Sequence, residues 1–370
     1  MTHPSPEVTT EFLQALADAW NRGIRRAALA ATLLLALVGC SDDGPTQPGA
    51  PATAYVGIAA NPSDFDLPDS IGSAILTARA TGANFMQNGE LWSTLEPSPG
   101  AIDVRSVRQS LPILSAIGFA TYYNLRIVDT NNRGTPGDLA ATAWDDPAMI
   151  ARVDAVLDSL IDVFELAPPV AFAFGNEVDV YFSAHPGELA AFRSLFQHAR
   201  ARVRTRLPDL PVGTCTTSPV LNAYAWVGDT LNASADLVIY TYYPFQPATD
   251  FVFRPPATLE PDMSAMLARA GSKPLGLQEV GYSSAAVCGS SQAAQAEFVR
   301  RFRTWTAAQP RSRVLFANWF LMTDWSSTTL NTLFTYYGGY SPGFAGFLGE
   351  LGLRDTTGSA KPGWNAWRGL

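Results

Sequence analysis

The 370-residue chain is short of the side chains that bind metal ions. It has only three histidines, His3, His185 and His198, and no two of them have the spacing of metal ligands. Charged residues make up 16% of the chain and the formal net charge is −8, which argues against nucleic acid and against an anionic membrane surface as partners. We therefore expect no metal site, no other cofactor and no nucleic-acid partner.

Cysteine is equally scarce, with three residues in the whole chain: Cys40, Cys215 and Cys288. Cys215 and Cys288 could form a disulfide in an oxidising compartment. They lie near two strands that would not be neighbours in the fold predicted below, so we favour free thiols and keep the disulfide as an alternative. Hydrophobic residues, in contrast, make up 47% of the chain, which is enough for one large barrel domain or for two smaller domains.

The first forty residues have the pattern of a signal peptide. Arg25 and Arg26 precede an apolar run over 27–38 that is too short to span a membrane as a mature helix. The run ends in LVGC at Cys40, which resembles a bacterial lipobox. This resemblance implies cleavage after residue 39, attachment of lipid such as palmitate to Cys40, and a Pro- and Gly-rich tether over 40–54. An ordinary secretory signal with a chance cysteine is the alternative.

Beyond the tether, strand-like and helix-like segments alternate along the chain. Eight apolar strands are predicted over residues 55–60, 83–88, 119–125, 170–175, 211–216, 236–243, 274–280 and 314–321. Eight such strand–helix units favour a parallel sheet closed into a single α/β domain, a (β/α)8 TIM barrel over residues 55–370. An open doubly wound sheet is the alternative, but no glycine-rich phosphate loop follows the first strand.

Two of these strands end in a glutamate. The runs AFAFGNE and PLGLQEVG are apolar up to Glu177 and Glu279. A carboxylate at the end of so apolar a run is costly unless it is partnered or used, because desolvation penalises its charged form. In a (β/α)8 barrel the functional side chains lie at the C-terminal ends of the strands. Both glutamates are therefore candidates for acid–base or nucleophilic chemistry.

With these residues the chain resembles the clan of retaining glycoside hydrolases built on (β/α)8 barrels. In that clan an Asn-Glu pair ends the fourth strand and a second glutamate ends the seventh, as Asn176, Glu177 and Glu279 do here. The resemblance implies that Glu177 is the acid/base and that Glu279 is the nucleophile. Less specific matches, one of them to the β-galactanase branch, lie at 92–100, 236–244 and 352–364.

The resemblance also implies a set of substrate-binding residues. Asn176 would bind the sugar 2-hydroxyl, and Tyr243 would donate a hydrogen bond to Glu279. Strand alternation turns only one of Tyr242 and Tyr243 inward, and we favour Tyr243. Further substrate contacts are expected at the ends of the second, third and eighth strands: Trp92, Asn124, Arg126 and Trp319. Core packing is the alternative for the two tryptophans.

One feature of the clan is missing. Several of its families have an arginine at the end of the second strand, near the nucleophile, whereas the stretch FMQNGE over 85–90 has none. Either Arg126 takes that place, or other donors surround the nucleophile. Arg126 could also pair with Asp129 or Asp179 for structural reasons alone. Glu96, in the loop after the second strand, is expected to order that loop.

The predicted function is that of a retaining glycosidase acting by double displacement, inside β-linked polysaccharide or oligosaccharide chains. Two alternatives remain: a barrel that binds carbohydrate without cleaving it, and a transglycosylase that uses the same residues. We expect a monomer that is held in the bacterial cell envelope, at the outer membrane or cell surface. Its lipid anchor would be its only membrane contact.

Overall fold

The structure is a computed structural model that describes residues 53–64 and 68–369. The predicted signal peptide and the lipidation of Cys40 lie outside these residues. The predicted tether overlaps them only at Thr53 and Ala54, and both already belong to the fold: Thr53 bridges Pro310, and the Ala54 amide donates to the Gln309 carbonyl. Within the described ranges, no helix has the length and apolar content needed to cross a membrane.

The strands form a closed parallel barrel, which confirms the predicted fold class. Their bounds are β1 Tyr55–Ile58, β2 Phe85–Leu91, β3 Ala120–Asp129, β4 Asn132–Arg133, β5 Ala171–Asn176, β6 Val212–Gly213, β7 Cys215–Thr217, β8 Val238–Tyr242, β9 Leu275–Val280 and β10 Val314–Trp319. Nine of them pair in parallel in the order β6-β5-β3-β2-β1-β10-β9-β8-β7, and β4 forms a short hairpin with β3. β6 and β7 are the first and last strands of this order, and only Thr214 separates them in the chain. They therefore form one interrupted strand, which closes the barrel.

Helices surround this barrel and extend over its mouth. They are α1 Pro68–Ala80, α2 Trp92–Leu95, α3 Arg105–Ala116, α4 Pro147–Phe164, α5 Val178–Ala184, α6 Leu189–Arg206, α7 Ala225–Asn232, α8 Leu259–Ala270, α9 Gln292–Ala307, α10 Ser327–Tyr337, α11 Pro342–Gly349 and α12 Pro362–Arg368. As its sequence predicts, α4 begins after an Asp146 cap, whose side chain accepts from the Ala148 amide. The sequence analysis did not predict α10 and α11, which lie in the long connection after β10.

Aromatic rings fill the barrel interior below its mouth. Phe316 packs against Phe85 with ring centroids 4.6 Å apart and against Tyr122 at 4.9 Å. Gly276 on β9 leaves room for this layer, because a Cβ at that position would overlap the Phe316 ring. The layer closes the floor of the barrel, so polar side chains above it face a confined opening.

A buried ion pair fixes the connection that carries α10 and α11. Lys361 Nζ lies 2.8 Å from Asp324 Oδ2, and the two side chains are 5% and 8% exposed. The ammonium group also donates to Ser284 Oγ at 3.2 Å and to the Glu350 carbonyl at 3.3 Å. Lys361 thus ties the start of α12 to the segments that follow β9 and β10.

Lys361→Met is expected to lower the free energy of unfolding by about 3–5 kcal/mol, because it leaves the Asp324 carboxylate buried without its cation. Urea unfolding followed by circular dichroism measures the change. The matched control is Arg269→Met, which breaks the exposed Arg269–Asp229 pair and should cost less than about 1 kcal/mol. Equal losses in the two variants would contradict the role of the buried pair.

Candidate active site

Glu177 follows directly after β5, at a point where the backbone turns sharply. Gly175 has φ 103° and Glu177 itself has φ 45° and ψ 40°, in the left-handed region. A side chain at Gly175 would place its Cβ 2.5 Å from Val178 Cγ1, so the turn needs glycine there. A non-glycine residue in this region costs roughly 1–3 kcal/mol, and such strain is concentrated at functional sites.

The Glu177 carboxyl group lies between two threonine hydroxyls. Thr241 Oγ1 donates to Glu177 Oε1 at 2.6 Å, and Thr130 Oγ1 donates to Oε2 at 2.9 Å. Burial raises the pKa of Glu177 to about 8, and the charge of Glu279 adds to the increase. A hydroxyl can accept as well as donate, so this pair of partners also suits the protonated form.

Glu279 has partners of a different kind. The Tyr243 hydroxyl donates to Oε2 at 2.7 Å, and the Gln278 amide nitrogen donates to Oε1 at 3.1 Å. Burial raises the pKa of Glu279, whereas these two hydrogen bonds lower it. An amide N–H can only donate, so it favours the carboxylate. The partners of Glu279 therefore favour its ionised form, whereas the two hydroxyls at Glu177 suit both of its forms.

A β-bulge turns Glu279 toward the mouth of the barrel. Along the β8–β9 pairing, Tyr240 is opposite Leu277 and the next residue, Thr241, is opposite Glu279, so Gln278 is the extra residue. Simple alternation would send Gln278 and Glu279 to opposite faces. The bulge lets both side chains reach the same opening.

Two chains of contacts place the carboxyl groups of Glu177 and Glu279 at one opening. Thr241 of β8 contacts Glu177. Tyr243 lies two residues further along the chain, on the same face, and contacts Glu279. Across the floor of the site, Gln278 Nε2 donates to the side-chain oxygen of Asn176 at 2.7 Å. Tyr242 points outward and donates to Asp262, so Tyr243 is the inward tyrosine, as alternation predicted.

Asn176 and Arg126 are held by a buried carboxylate. Asp129 is 3% exposed; its Oδ1 accepts from Asn176 Nδ2 at 2.8 Å, and its Oδ2 lies 3.8 Å from Arg126 Nη1. Arg126 also donates to the Gly89 carbonyl at 2.9 Å. Of the two ion pairs that the sequence allowed for Arg126, the structure forms the one with Asp129. With 36% of its side chain exposed, Arg126 can still face a substrate.

Both predicted stacking tryptophans are buried, so those two predictions are wrong. Trp92 is 0% exposed and donates to Glu96 Oε2 at 2.8 Å. Glu96 also accepts from the Gly100 amide, so it orders its loop as expected. Trp319 is 0% exposed and packs against Phe298 and Phe302 of α9. The reason is register: Phe316 and Asn318 of β10 face the barrel, which turns Trp319 toward the helices.

Phe320 is the aromatic residue that the sequence analysis missed. It is only partly buried, and its ring meets the Tyr243 ring edge-on at a centroid distance of 6.5 Å. Counting in twos from Phe316 through Asn318 leads to Phe320 on the inward face, so the signal was present in the sequence. The partly exposed Phe320 ring provides an apolar surface beside Tyr243, which contacts Glu279.

Asn124 lies below the site and does not face its opening. It is 1% exposed, and its amide nitrogen donates to Gln278 Oε1 at 2.9 Å. The predicted substrate contact of Asn124 is therefore replaced by a supporting one. Other supporting side chains were not predicted, because their partners are distant in sequence: Thr130, Thr241, Gln278 and Tyr336.

A bridge crosses one side of the barrel mouth. The Tyr336 hydroxyl of α10 donates to Asp129 Oδ2 at 2.7 Å, and Asn131 and Asn132 of the β3–β4 turn donate to the Tyr337 and Tyr336 carbonyls at 3.2 and 3.3 Å. Asp129 also accepts from Asn176 Nδ2, so the bridge places α10 beside the candidate site.

Within the described ranges, no group of three or more His, Cys, Asp or Glu side chains is arranged to hold a metal ion. Cys215 and Cys288 are buried free thiols. The predicted alternative of a disulfide between them is therefore wrong, since they lie on separate parts of the barrel.

Known structures share this fold, although no protein-family model matches the chain and a search of curated proteins gives no match. A Glu-to-Ala variant of GH5_18 from Streptomyces cattleya, in complex with Manβ1-4GlcNAc, has 16% identity and a TM-score of 0.67, covering 86% of this chain and 80% of its own. The exo-β-1,4-mannosidase Op5Man5 from Opitutaceae bacterium strain TAV5 has 17% identity and a TM-score of 0.65, over 90% and 62%. A Bacteroides uniformis β-glucuronidase has 12% identity and a TM-score of 0.59, over 86% and 35%. This likeness establishes the barrel fold that the chain shares with these glycoside hydrolases.

Proposed function

We propose that the protein is a retaining glycoside hydrolase that cleaves β-linked saccharides by double displacement. The observation that carries the proposal is the pair of unlike carboxyl groups at one opening. Burial and the neighbouring charge raise the pKa of Glu177 to about 8, whereas Glu279 is held by a tyrosine hydroxyl and an amide N–H. A pair of carboxyl groups with one proton between them is what this reaction requires.

The roles follow from the protonation states. In the first step a Glu279 oxygen bonds to the anomeric carbon, the bond from that carbon to the glycosidic oxygen breaks, and Glu177 gives its proton to the departing oxygen. In the second step the ionised Glu177 takes a proton from water. The water oxygen bonds to the anomeric carbon and the ester bond to Glu279 breaks. Water therefore replaces the leaving sugar with the anomeric configuration retained.

Covalent trapping tests the proposal directly. An activated 2-deoxy-2-fluoro glycoside should glycosylate the protein once, with loss of its leaving group, and peptide mass spectrometry should find the sugar on Glu279. A panel of β-mannosides, β-glucosides, β-galactosides and β-xylosides supplies both the probes and the substrates. Folded protein with neither a label nor turnover across the panel would contradict the proposal. Glycan binding without product, unchanged in Glu177→Gln, would instead favour a carbohydrate-binding protein.

We further propose that the substrate is a short β-linked oligosaccharide attacked at its chain end, with β-mannosides the first class to test. The bridge between α10 and the β3–β4 hairpin supports attack at a chain end, because it brings a helix to Asp129, the carboxylate that holds Asn176 at one side of the site. Among the known structures of this fold are an exo-β-1,4-mannosidase and a complex with Manβ1-4GlcNAc. Release of single sugars without early loss of viscosity would support chain-end attack. Early mid-chain products would support the endo-action expected from sequence, and longer glycans at high substrate concentration would reveal transglycosylation.

The alkaline limit of activity should follow the proton on Glu177. Because the acid must be protonated, kcat/KM should fall as pH rises through the pKa of about 8. Thr241→Val removes a hydrogen bond that lowers the pKa of Glu177, so the limit should move to higher pH in that variant. Initial rates from pH 5 to 10 measure both. A limit that stays in place in Thr241→Val would contradict the assignment.

The cell-envelope location is also a proposal, carried by the LVGC stretch that ends at Cys40. In cells that make the full-length precursor, radioactive palmitate should label the mature chain that begins at Cys40, and Cys40→Ser should lose the label. Labelling that persists in Cys40→Ser would contradict it. Gel filtration of a chain starting after residue 40 tests the expected monomer.

A further inference from the structure

Gln278 has four hydrogen bonds and almost no exposed surface. It is 1% exposed and lies in the bulge of β9, directly before Glu279. Its Oε1 accepts from the Tyr122 hydroxyl at 2.7 Å and from Asn124 Nδ2 at 2.9 Å. Its Nε2 donates to Asn176 Oδ1 at 2.7 Å and to Glu279 Oε1 at 3.1 Å. Asn176 and Glu279 belong to the candidate site, and Tyr122 and Asn124 lie below it on β3.

The surrounding charges fix which way the Gln278 amide points. Asp129 is a carboxylate that accepts from Asn176 Nδ2, so the oxygen of Asn176 must face Gln278. Glu279 is also an acceptor. Facing two acceptors, Gln278 can present only its NH2 group to them, and its oxygen then faces the donors Tyr122 and Asn124. If the amide were reversed, its oxygen would face the oxygens of Asn176 and Glu279, and both hydrogen bonds would be lost.

The hydrogen bonds that the described residues donate to Glu279 come from neutral groups, Tyr243 and Gln278. Arg126, the cationic side chain at the end of β3, donates to the Gly89 carbonyl and pairs with Asp129. The second strand carries no arginine at all over 85–91. The neutral amide of Gln278 therefore donates to Glu279, where the sequence allowed either an arginine or another donor.

We propose that Gln278 is a positioning residue that holds the nucleophile Glu279 and the sugar-binding Asn176 in a fixed relation. The proposal rests on the proposed function for what those two residues do. Because one rigid amide contacts both, the orientation of the attacking carboxylate is tied to the group that would bind the neighbouring hydroxyl. Tyr122 and Asn124 anchor the amide from below.

The test compares two buried glutamines replaced by methionine. Gln278→Met keeps an unbranched side chain of similar length and removes the donor to Glu279. Gln295→Met is the matched control, because Gln295 is 0% exposed and donates to the carbonyls of Tyr282 and Gly352 on the helix side of the barrel. Gln278→Met should lower kcat by about 10- to 100-fold with a smaller change in KM, the effect of losing one hydrogen bond to a charged group. Gln295→Met should change thermal stability and leave kcat within a few-fold.

A titration that needs no substrate provides the second readout. Carbon-13 NMR of protein labelled at the glutamate carboxyl carbon, with Glu279 assigned through Glu279→Gln, follows its ionisation directly. The Gln278 hydrogen bond lowers the pKa of Glu279, so this pKa should rise in Gln278→Met and stay in place in Gln295→Met. An unchanged Glu279 titration in Gln278→Met, or equal kinetic losses in both variants, would overturn the proposal. If the unmodified protein turned over no glycoside, the proposed function would fail while the titration still decided the role of Gln278.

Discussion

Glu279→Ala should lower kcat/KM by on the order of 10⁵-fold, the scale at which removing a nucleophile eliminates the covalent route. The substitution deletes the atom that would bond to the anomeric carbon and leaves Tyr243 and Gln278 without their acceptor. It also removes the charge that helps to raise the pKa of Glu177. Rates on an activated aryl glycoside measure the loss, and circular dichroism checks the fold.

Azide can occupy the space left by the missing carboxylate. Adding azide to Glu279→Ala should restore turnover of the activated β-glycoside and give an α-glycosyl azide, because the anion attacks from the face that Glu279 would have used. Glu165→Ala is the matched control: it removes an exposed glutamate at the end of α4 and should keep full activity without azide. A β-configured azide from Glu279→Ala, or turnover close to that of the unmodified protein, would exclude Glu279 as nucleophile.

The strands could be predicted from the sequence because a parallel barrel buries them on both faces. Each of the eight apolar runs overlaps an observed strand of the barrel. The segment 327–349 was missed although it carries a helical signal, since Leu330, Leu333, Phe334 and Tyr337 have the spacing of one helix face. The caps are further local signals: Ser326 accepts from the Thr329 amide and Ser341 accepts from the Phe344 amide.

Within the site, the sequence pointed to side chains whose local cost was visible and missed those whose placement depends on register. A glutamate at the end of an apolar run is conspicuous in the sequence, and both Glu177 and Glu279 were predicted as candidates for this reason. The bulge at Gln278 leaves no mark in the sequence, so the sequence analysis passed over that side chain. Trp319 was assigned to the mouth although the register of β10 assigns that face to Phe320. The contact between Asp129 and Tyr336 joins residues 207 positions apart, and only the closed barrel reveals it.

Glu177→Ala should have an effect that depends on the leaving group, because only a poor leaving group needs its proton. With an unactivated β-linked oligosaccharide, kcat/KM should fall by about 10²- to 10⁴-fold, the usual contribution of general acid catalysis. With a 2,4-dinitrophenyl glycoside the first step should be nearly unaffected, since the phenolate departs without a proton. Hydrolysis of the glycosyl ester should then limit the rate, because no base activates the water.

Azide distinguishes this variant from Glu279→Ala. It attacks the glycosyl ester without needing a base, so it should accelerate Glu177→Ala and give a β-glycosyl azide, the opposite configuration to that expected from Glu279→Ala. The alkaline limit near pH 8 should also disappear, since the group with that pKa is gone. Glu188→Ala, which removes the carboxylate at the start of α6, controls for loss of a neighbouring acidic side chain. An equal loss on good and poor leaving groups would mean that Glu177 supports the structure and does not transfer the proton.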